Sequence, residues 1–309
     1  SFLPGATEVV AALGVADDLV GISHECDYPP DVRRKPVLVR AAIDSERTLS
    51  PEIDRQVRET LQNGHSLYAL DEHLFARAQP DLIITQDLCN VCAVTPTQLQ
   101  QAIGLLPKEP RILTLNPTRL EDILADVERI GAATGRASQA HSLAATLQAR
   151  LQAIRDRIAT VRDRPNVACL EWLDPLYAPG HWVPEMVEWA GGRNGLGRAG
   201  APSERIAWEK VLAVQPDVVI LMPCGFSAAR TLQEFAQLQV QSKWPGWESL
   251  PAVRNDRVFA VDSGAYFSRP GPRLVEGVAI LSTLCHPSLF GQALPAGVLR
   301  LPSRNHPAS

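Results

Sequence analysis

The sequence predicts an α/β protein in which two α/β lobes, each with a mostly parallel sheet, are joined by a single long helix. Two observations lead to this prediction. The first is the segment 138–162, which has no Gly or Pro and repeats apolar residues at spacings of three and four from Leu143 to Ile158. A helix over this segment would be roughly 37 Å long, which is too long for a crossover inside a small domain.

The second observation is a pair of similar segments, one on each side of the long helix. Residues 70–84 and 207–220 each contain a short helix led by a glutamate, a Gln-Pro-Asp turn and an apolar strand. The match needs one gap, and a helix followed by Pro-Asp and a strand is also a common α/β connection. Because the two similar segments flank one long helix, they nevertheless favour two related lobes over a chance similarity.

The predicted organisation has four parts. They are an N-terminal α/β lobe over 1–135, the connecting helix over 136–163, a C-terminal α/β lobe over 164–288 and a loosely packed tail over 289–309. The chain of 309 residues is long enough for two lobes of ordinary domain size. Residues 1–4 have the pattern of a strand end, and the first residue is not Met, so we expect further residues upstream. The lack of a signal peptide in this sequence therefore carries no inference.

The predicted elements of the N-terminal lobe alternate between strands and helices. The strands are apolar runs bounded by turn residues, and they cover 19–26, 66–70, 82–85 and 111–115 after a strand end at 1–4. The helices open at cap or proline signals near 5–7, 50, 71 and 95, and glycines at 14 and 64 end the first two. A further helix precedes the long one.

The C-terminal lobe repeats this alternation. Its predicted strands cover 166–173, 218–222 and 257–262. Its predicted helices start at 184, in the Glu209 segment, near 227 and at 272, and the last one runs to 285. Strands that alternate with helices form mostly parallel sheets, and in such sheets ligands sit beyond the carboxyl ends of the strands.

Loops at those carboxyl ends are rich in aromatic side chains, although aromatic content is only 6% overall. A broad, flat, partly apolar ligand needs such walls, because flat rings bury a large area at low conformational cost. The other interpretation is that some of these rings plug the edges of the lobes. The candidate ligand-binding residues of these loops are Tyr28, Trp172, Tyr177, His181, Trp182, Tyr266 and Phe267.

Three cysteines lie in the same predicted region. Cys89 and Cys92 have the spacing of two metal ligands, but a structural zinc site needs four ligands. Cys26, His24 or Cys224 could complete such a site only if the fold brings them together. A redox disulfide between Cys89 and Cys92 is the second interpretation. We favour a third, in which Cys26, Cys89 and Cys92 line the ligand site, and we expect no resident metal.

Composition and motifs disfavour several function classes. The net charge of −4 and the pI near 6.0 argue against a nucleic-acid surface, and no apolar run approaches 18 residues, so we expect no membrane insertion. The sequence contains no Gly-rich phosphate loop of standard spacing and no Gly-x-Ser-x-Gly elbow, so we expect no catalytic residues. A metal- or thiol-dependent enzyme that uses Cys26, Cys89 and Cys92 is the weaker hypothesis.

A series of motifs follows one order along nearly the whole chain. It consists of Leu3-Pro4-x-x-Thr7-Glu8, Asp27-Tyr28-Pro29-Pro30, the two Glu…Pro-Asp segments with Gly191-Gly192 between them, and YFSRPGPR over 266–273. In this order the motifs resemble the vitamin B12-binding proteins of ABC importers, within the wider class that binds iron-siderophores, haem and cobalamin.

The resemblance implies a helical-backbone periplasmic binding protein, with one rigid helix between the lobes and the ligand in the cleft. It implies a periplasmic or extracytoplasmic receptor that binds cobalamin or a related corrinoid, with haem or an iron-siderophore as the alternative ligand. It also implies that the receptor uses no cofactor and that its partner is an ABC permease. We expect a monomer. In the family, paired glutamates on the lobe tips meet arginines of the two permease subunits, and Glu72 and Glu209 match that pattern.

Overall fold

The computed structural model of the protein describes residues 1–45, 48–86, 94–240 and 243–301. The chain divides into two units, each packed around its own core. Unit 1 contains the described residues of 1–117, 121–148 and 270–272, and unit 2 contains those of 118–120, 149–269 and 273–301.

The first half of the chain carries five strands and six helices in the described ranges. In chain order they are α1 (Pro4–Ala12), β1 (Ile22–Ser23), β2 (Val37–Ala41), α2 (Ser50–Gln62), β3 (Tyr68–Leu70), α3 (Glu72–Ala78), β4 (Leu82–Thr85), α4 (Pro96–Ile103), β5 (Arg111–Thr114), α5 (Leu120–Ala133) and α6 (Ala137–Ile158). The sheets of unit 1 are short. β1 pairs with β2 in parallel, β2 pairs with β3 antiparallel, and β4 and β5 form a separate parallel pair.

Helix α6 is the long helix expected from the sequence. It has 22 residues, which corresponds to roughly 33 Å. It ends earlier than predicted, because a tighter turn follows in which the Val161 N–H donates to the Ile158 carbonyl at 2.9 Å. The division between the two units falls within this helix, after Gln148.

The second half of the chain continues the alternation. In chain order its elements are β6 (Asn166–Leu170), β7 (Trp172–Leu173), β8 (Leu176–Ala178), α7 (Val183–Trp189), β9 (Arg193–Asn194), β10 (Glu204–Arg205), α8 (Trp208–Val214), β11 (Val218–Leu221), α9 (Ala228–Val240), α10 (Pro251–Arg254), β12 (Val258–Val261), α11 (Ser263–Tyr266), α12 (Leu274–Cys285), α13 (Pro287–Phe290) and β13 (Val298–Arg300).

The main sheet of unit 2 has five strands in the order β13-β12-β11-β6-β9. The pairings of β6 with β9 and β11, and of β11 with β12, are parallel, as predicted. All four residues of β11 and of β12 are buried, which explains why these strands read as continuous apolar runs rather than as alternating ones.

Two segments of unit 2 differ from the prediction. The predicted loosely packed tail over 289–309 contains β13, which pairs antiparallel with β12, so Val298 is buried in the sheet although prolines interrupt the sequence around it. The predicted aromatic loop over 174–182 contains β8, which pairs with β7 and β10 in a small antiparallel sheet. In both cases the segment becomes a strand because it pairs with the edge of a neighbouring strand, β12 for β13 and β7 for β8, although its own sequence is only weakly typical of a strand.

A cluster of aromatic rings fills the core beside α8. Trp208 stacks on Trp244 at a centroid distance of 5.1 Å, and Trp247 lies 6.1 Å from Trp208 and 5.4 Å from Trp244. Phe235 of α9 contacts Trp244 and Trp247, both at 5.0 Å. The Trp208 Nε1–H donates to the Pro245 carbonyl at 2.6 Å, so its polar atom is satisfied where the ring is buried.

The two short helices that flank α6 end in the same way. α3 and α8 have seven residues each, and each is followed by a glutamine in the left-handed region, Gln79 with φ 43° and Gln215 with φ 46°. Pro-Asp and a four-residue strand follow in both copies. Phe75 and Val211, four residues before these glutamines, are both fully buried.

This equivalence corrects the gap that the sequence comparison introduced. Aligned on the two glutamines, the helices match without a gap, and Glu72 pairs with Trp208. Glu72 is therefore the first residue of its helix, whereas Glu209 is the second residue of its own.

We predict that Gln79→Gly and Gln215→Gly stabilise the protein, because glycine adopts positive φ without the steric cost that a side chain incurs. The gain should be about 1 kcal/mol at Gln79. It should be smaller at Gln215, whose side chain donates a hydrogen bond to the Leu212 carbonyl at 2.8 Å that glycine would lose. Urea unfolding measures both changes.

The matched control is Gln148→Gly, at an exposed position inside α6. This variant should lose about 1 kcal/mol, because glycine is a poor helix former. Equal losses in all three variants would show that the two turn positions carry no strain that glycine relieves.

Candidate functional site

The carboxyl ends of three parallel strands of unit 2 are connected by backbone hydrogen bonds. After β6 and β11, the Met222 N–H donates to the Leu170 carbonyl at 2.9 Å and the Cys224 N–H donates to the Glu171 carbonyl at 3.1 Å. After β12, the Ser263 N–H donates to the Phe226 carbonyl at 3.0 Å. We call the side chains of these connected loops, Glu171, Trp172, Cys224, Phe226 and Tyr266, the carboxyl-end surface.

Two half-buried rings, Trp172 and Tyr266, belong to this surface, whereas the Phe226 ring is only 2% exposed and packs against Trp172. Trp172 is half-buried and its ring meets Phe226 edge-on at 5.3 Å. The Arg230 guanidinium lies 3.5 Å from the centre of the Phe226 ring. Tyr266 is also half-buried. Trp172 and Tyr266 therefore keep part of their rings open at the position where the sequence placed a ligand site.

Tyr177 belongs to the small antiparallel sheet next to Trp172. The two residues are register partners between β7 and β8, and the Tyr177 carbonyl accepts a hydrogen bond from the Glu171 N–H at 2.9 Å. Its ring is half-buried. The sheet therefore places Tyr177 beside Trp172 of the carboxyl-end surface.

His181 is half-buried, and burial lowers the pKa of its imidazole. Its backbone lies in the left-handed region at φ 49°. Two hydrogen bonds hold it there, from the His181 N–H to the Ala201 carbonyl at 2.6 Å and from the Gly200 N–H to the His181 carbonyl at 2.8 Å. His181 is therefore a neutral, partly open imidazole in a rigid backbone.

The structure corrects the expectation for two of the predicted rings. Trp182 and Phe267 are buried, at 7% and 2% exposure. The Trp182 Nε1–H donates to the Phe267 carbonyl at 2.8 Å, which ties the two segments together. Buried rings offer almost no surface to a ligand, so these two residues follow the other interpretation, in which aromatic side chains pack the interior.

Glu171 is a residue that the sequence interpretation missed. Its backbone is held on both sides by the bonds to Tyr177 and Cys224 described above, and its carboxyl shares a hydrogen bond with the Ser203 hydroxyl. The other carboxyl oxygen, Oε2, is buried and has no hydrogen-bond partner among the described residues. An acidic residue at the end of an apolar strand, directly before a tryptophan, is the signal that could have identified it.

Burial determines the charge of this carboxyl. It raises the pKa of Glu171 to about 7, because the charged form loses hydration, and the Ser203 hydrogen bond offsets only part of this rise. Near neutral pH the group therefore exists in both protonation states. It can donate a hydrogen bond when protonated and accept two when ionised.

In unit 1 the predicted site residues have different surroundings. Cys26 is buried, at 3% exposure, and its Sγ lies 3.1 Å from the Thr7 Oγ1. This contact corrects the expectation that Cys26 lines an open site, since the thiol packs beneath α1. Tyr28 is 46% exposed. Cys89 and Cys92 lie outside the described residues.

The metal alternative has no support in the described part of the chain. No group of three or more His, Cys, Asp or Glu side chains that could hold an ion occurs there. His24 is exposed, and its Nδ1 lies 3.3 Å from the Val39 carbonyl. Cys224, in the carboxyl-end surface, is exposed. The other two described thiols, Cys169 and Cys285, are buried, and burial raises the pKa of Cys285 to about 12 and that of Cys169 further. Neither thiol is therefore poised as a thiolate.

The two predicted docking residues are exposed at the starts of their helices. Glu72 follows Asp71, whose Oδ1 accepts the Leu74 N–H at 2.9 Å and caps α3. Glu209 lies in α8, which has no side-chain cap. Within the described residues neither glutamate forms an ion pair. Both carboxylates are thus available to a partner.

Comparison with known proteins identifies the family. The family described as "Periplasmic binding protein" matches residues 3–265. The chain belongs to this family. The binding protein is 22% identical over 301 residues to YvrC of Bacillus subtilis, an uncharacterized ABC transporter substrate-binding lipoprotein, with 94% of this chain and 80% of the relative covered.

Two further relatives carry ligand names. The binding protein is 24% identical over 295 residues to a vitamin B12-binding protein of Vibrio cholerae, covering 92% of this chain and 87% of the relative. A crystal structure of a periplasmic haem-binding protein from Pseudomonas aeruginosa matches with a TM-score of 0.73 at 20% identity, over 97% of this chain and 96% of the other. At this identity the structural likeness establishes the fold.

These findings confirm the predicted fold class and the resemblance. The binding protein is a substrate-binding protein of the ABC transporter type, with two α/β lobes. Family members bind a transported ligand, carry no cofactor and are not enzymes, and they are periplasmic proteins or extracellular lipoproteins. Among the described residues, none of the helices combines the length and the hydrophobicity that crossing a membrane requires.

We predict that Glu171→Gln stabilises the protein increasingly as the pH rises. An unfolded glutamate titrates near pKa 4.5, whereas the folded one keeps its proton up to about 7, so the wild type loses stability between about pH 4.5 and 7 and no further above it. Glutamine does not titrate. The difference in unfolding free energy between variant and wild type should therefore grow over that window and then level off.

Urea unfolding followed by circular dichroism at several pH values measures this difference. The control is Glu209→Gln, whose exposed carboxylate should give a flat difference over the same window. A flat difference for Glu171→Gln as well would show that the ionised carboxylate is solvated in the folded protein.

Proposed function

We propose that the protein captures a corrinoid of the cobalamin class and delivers it to an ABC importer. The observation that carries the proposal is the group of half-buried rings Trp172, Tyr177 and Tyr266 at the ends of parallel strands. Such rings suit a broad ligand with an apolar face. The named vitamin B12-binding relative, which aligns with 92% of this chain, supports the same ligand class.

Charge favours a corrinoid over the alternatives. The carboxyl-end surface includes an acidic residue, Glu171, whose carboxyl is buried. When this group is ionised, its charge favours a ligand with neutral arms over one with carboxylates. Corrinoids carry amide arms, whereas haem and many ferric siderophores carry acidic groups that an ionised Glu171 would repel. In unit 1, Tyr28, whose ring is exposed, and Cys89 and Cys92 remain predicted ligand-binding residues.

Haem is the second candidate, and one observation favours it. His181 is half-buried and burial lowers the pKa of its imidazole, so a neutral nitrogen is available to a metal at neutral pH. The likeness to a periplasmic haem-binding protein agrees with this candidate. His181→Ala should weaken haem binding strongly if haem is the ligand, and it should affect corrinoid binding far less.

Three ligands distinguish the candidates. We expect the purified protein to co-elute with cyanocobalamin in gel filtration read in the visible range, and not with haemin or a ferric hydroxamate siderophore. Trp172→Ala should weaken corrinoid binding by about 2 kcal/mol, or about thirtyfold, because a central aromatic contact is lost. Calorimetry measures the affinity.

The matched control is Trp189→Ala. Trp189 ends α7 and stacks with the Arg155 guanidinium at 4.7 Å, outside the carboxyl-end surface. Its removal should leave the affinity unchanged. Co-elution with haemin alone would replace the corrinoid by haem, and equal losses in both tryptophan variants would remove Trp172 from the site.

We further propose that Glu72 and Glu209 dock the protein on its permease. Each glutamate is exposed at the start of a short helix, and the two helices are equivalent in the internal repeat. A carboxylate in the first turn of a helix is also favoured by the backbone dipole, which is the simpler role. A two-fold permease presents two equivalent partners, and each of the two equivalent helices supplies one glutamate in its first turn, Glu72 at the first helix position and Glu209 at the second.

Glu72→Ala and Glu209→Ala should leave ligand affinity intact and slow transport, with a larger effect at low salt because exposed ion pairs are screened. A transport assay beside a binding isotherm separates the two effects. Glu109→Ala, at another exposed position of unit 1, is the control and should transport normally. Full uptake by the double variant would leave only the helix-capping role.

A further inference from the structure

The first turns of α3 and α8 are held in different ways. In α3 the Asp71 Oδ1 caps the helix by accepting the Leu74 N–H at 2.9 Å. In α8 the equivalent N–H, that of Lys210, donates to the backbone carbonyl of Ala207 at 3.1 Å, and none of the described side chains caps the helix. A side-chain cap satisfies an amide that a helix leaves open at its start. Local contacts therefore fix the first turn of α3 more firmly than that of α8.

The start of α8 is attached to the small antiparallel sheet instead. Between β10 and α8, the Ile206 N–H donates to the Leu176 carbonyl of β8 at 2.9 Å. In the first turn, the Lys210 Nζ donates to the Glu204 Oε1 of β10 at 2.8 Å, and this bond lowers the pKa of the Glu204 carboxyl. An exposed ion pair contributes little by itself, but here it acts beside a backbone hydrogen bond. The position of the first turn of α8 therefore depends on β10.

The same sheet carries rings of the proposed ligand site. Trp172 of β7 is the register partner of Tyr177 of β8, and Tyr177 is in turn the register partner of Arg205 of β10. Ser203, the residue before β10, shares a hydrogen bond with the Glu171 carboxyl. β10 is therefore connected to the proposed ligand site through its pairing with β8 and through Ser203, and it leads into α8 at its other end.

We propose that a ligand bound at Trp172 and Tyr177 fixes the first turn of α8, so that Glu209 marks the loaded protein for a basic permease surface. The ligand restrains β8 and β10, and this favours the closed state of a first turn that opens and closes in the empty protein. Glu72 is presented equally with and without ligand, because α3 has its own cap. The inference rests on the proposed function and extends it by giving the two glutamates different roles.

Hydrogen exchange at two equivalent amides tests the proposal in the isolated protein. The exchange of Lys210 and Leu74 is measured without ligand and with cyanocobalamin or haemin, whichever co-elutes with the protein. Saturating ligand should slow exchange at Lys210 by at least about fivefold, because opening of the first turn then competes with ligand binding. Exchange at Leu74, whose amide is already capped by Asp71, should stay unchanged.

Ala207→Ser gives α8 the cap that it lacks. The backbone of Ala207 is extended, with φ −83° and ψ 151°, which is the conformation of a capping residue. In this variant the Lys210 amide should exchange slowly even without ligand, and ligand should change its rate by less than about twofold. The matched control is Ala213→Ser, at an exposed position inside the same helix, which adds a hydroxyl but no cap and should respond to ligand as the wild type does.

Binding to vesicles that contain the cognate permease tests the functional consequence. Loaded wild-type protein should bind at least about fivefold more tightly than empty protein. Glu209→Ala should abolish this difference, whereas Glu72→Ala should weaken both forms and keep it.

The outcomes separate this inference from the proposed function. Ligand binding without slower exchange at Lys210, or equal permease affinities of loaded and empty protein, would overturn the inference and leave the proposed ligand in place. An unchanged response to ligand in Ala207→Ser would also overturn it. Failure of both cyanocobalamin and haemin to bind would overturn the proposed function and the inference together.

Discussion

The parallel pairing of β6, β11 and β12 determines where the other features of unit 2 lie. The register places Val218 opposite Val167 and Ile220 opposite both Cys169 and Phe259, with every side chain buried. Because parallel strands end on one side, the peptide groups after them come within hydrogen-bond distance of one another. The small antiparallel sheet is attached there through Glu171. Shifting one strand by a residue would exchange the side chains that pack on the two faces of the sheet and would separate the three loops.

Local sequence patterns predicted much of this architecture. The apolar spacing of α6, the proline and glycine punctuation of the helices and the runs of Val and Ile in β11 are signals within a few residues, and the structure contains each of these elements. The strands β8 and β13 were missed, because their pairing depends on edges supplied by distant parts of the chain. Pairing of this kind leaves little trace in the segment itself.

Side-chain exposure was less predictable than secondary structure. Trp172 and Trp182 both follow β6 in an aromatic segment, yet one ring is half-buried and the other is buried and bonded to Phe267. Composition cannot distinguish them, because the difference comes from a segment 85 residues away in the chain. The pKa of Glu171 was unpredictable for the same reason. It is raised by burial of the carboxyl, and residue type alone does not reveal whether a glutamate is buried.

The distribution of tryptophan has an optical consequence. All six tryptophans lie between residues 172 and 247, and three of them form the cluster beside α8. Intrinsic tryptophan fluorescence therefore reports on unit 2 alone, whereas unit 1 contributes only the weak emission of Tyr28 and Tyr68. A denaturation curve recorded by fluorescence can look like a single transition while unit 1 unfolds unseen, so agreement with a backbone probe is needed before the two units can be treated as one cooperative system.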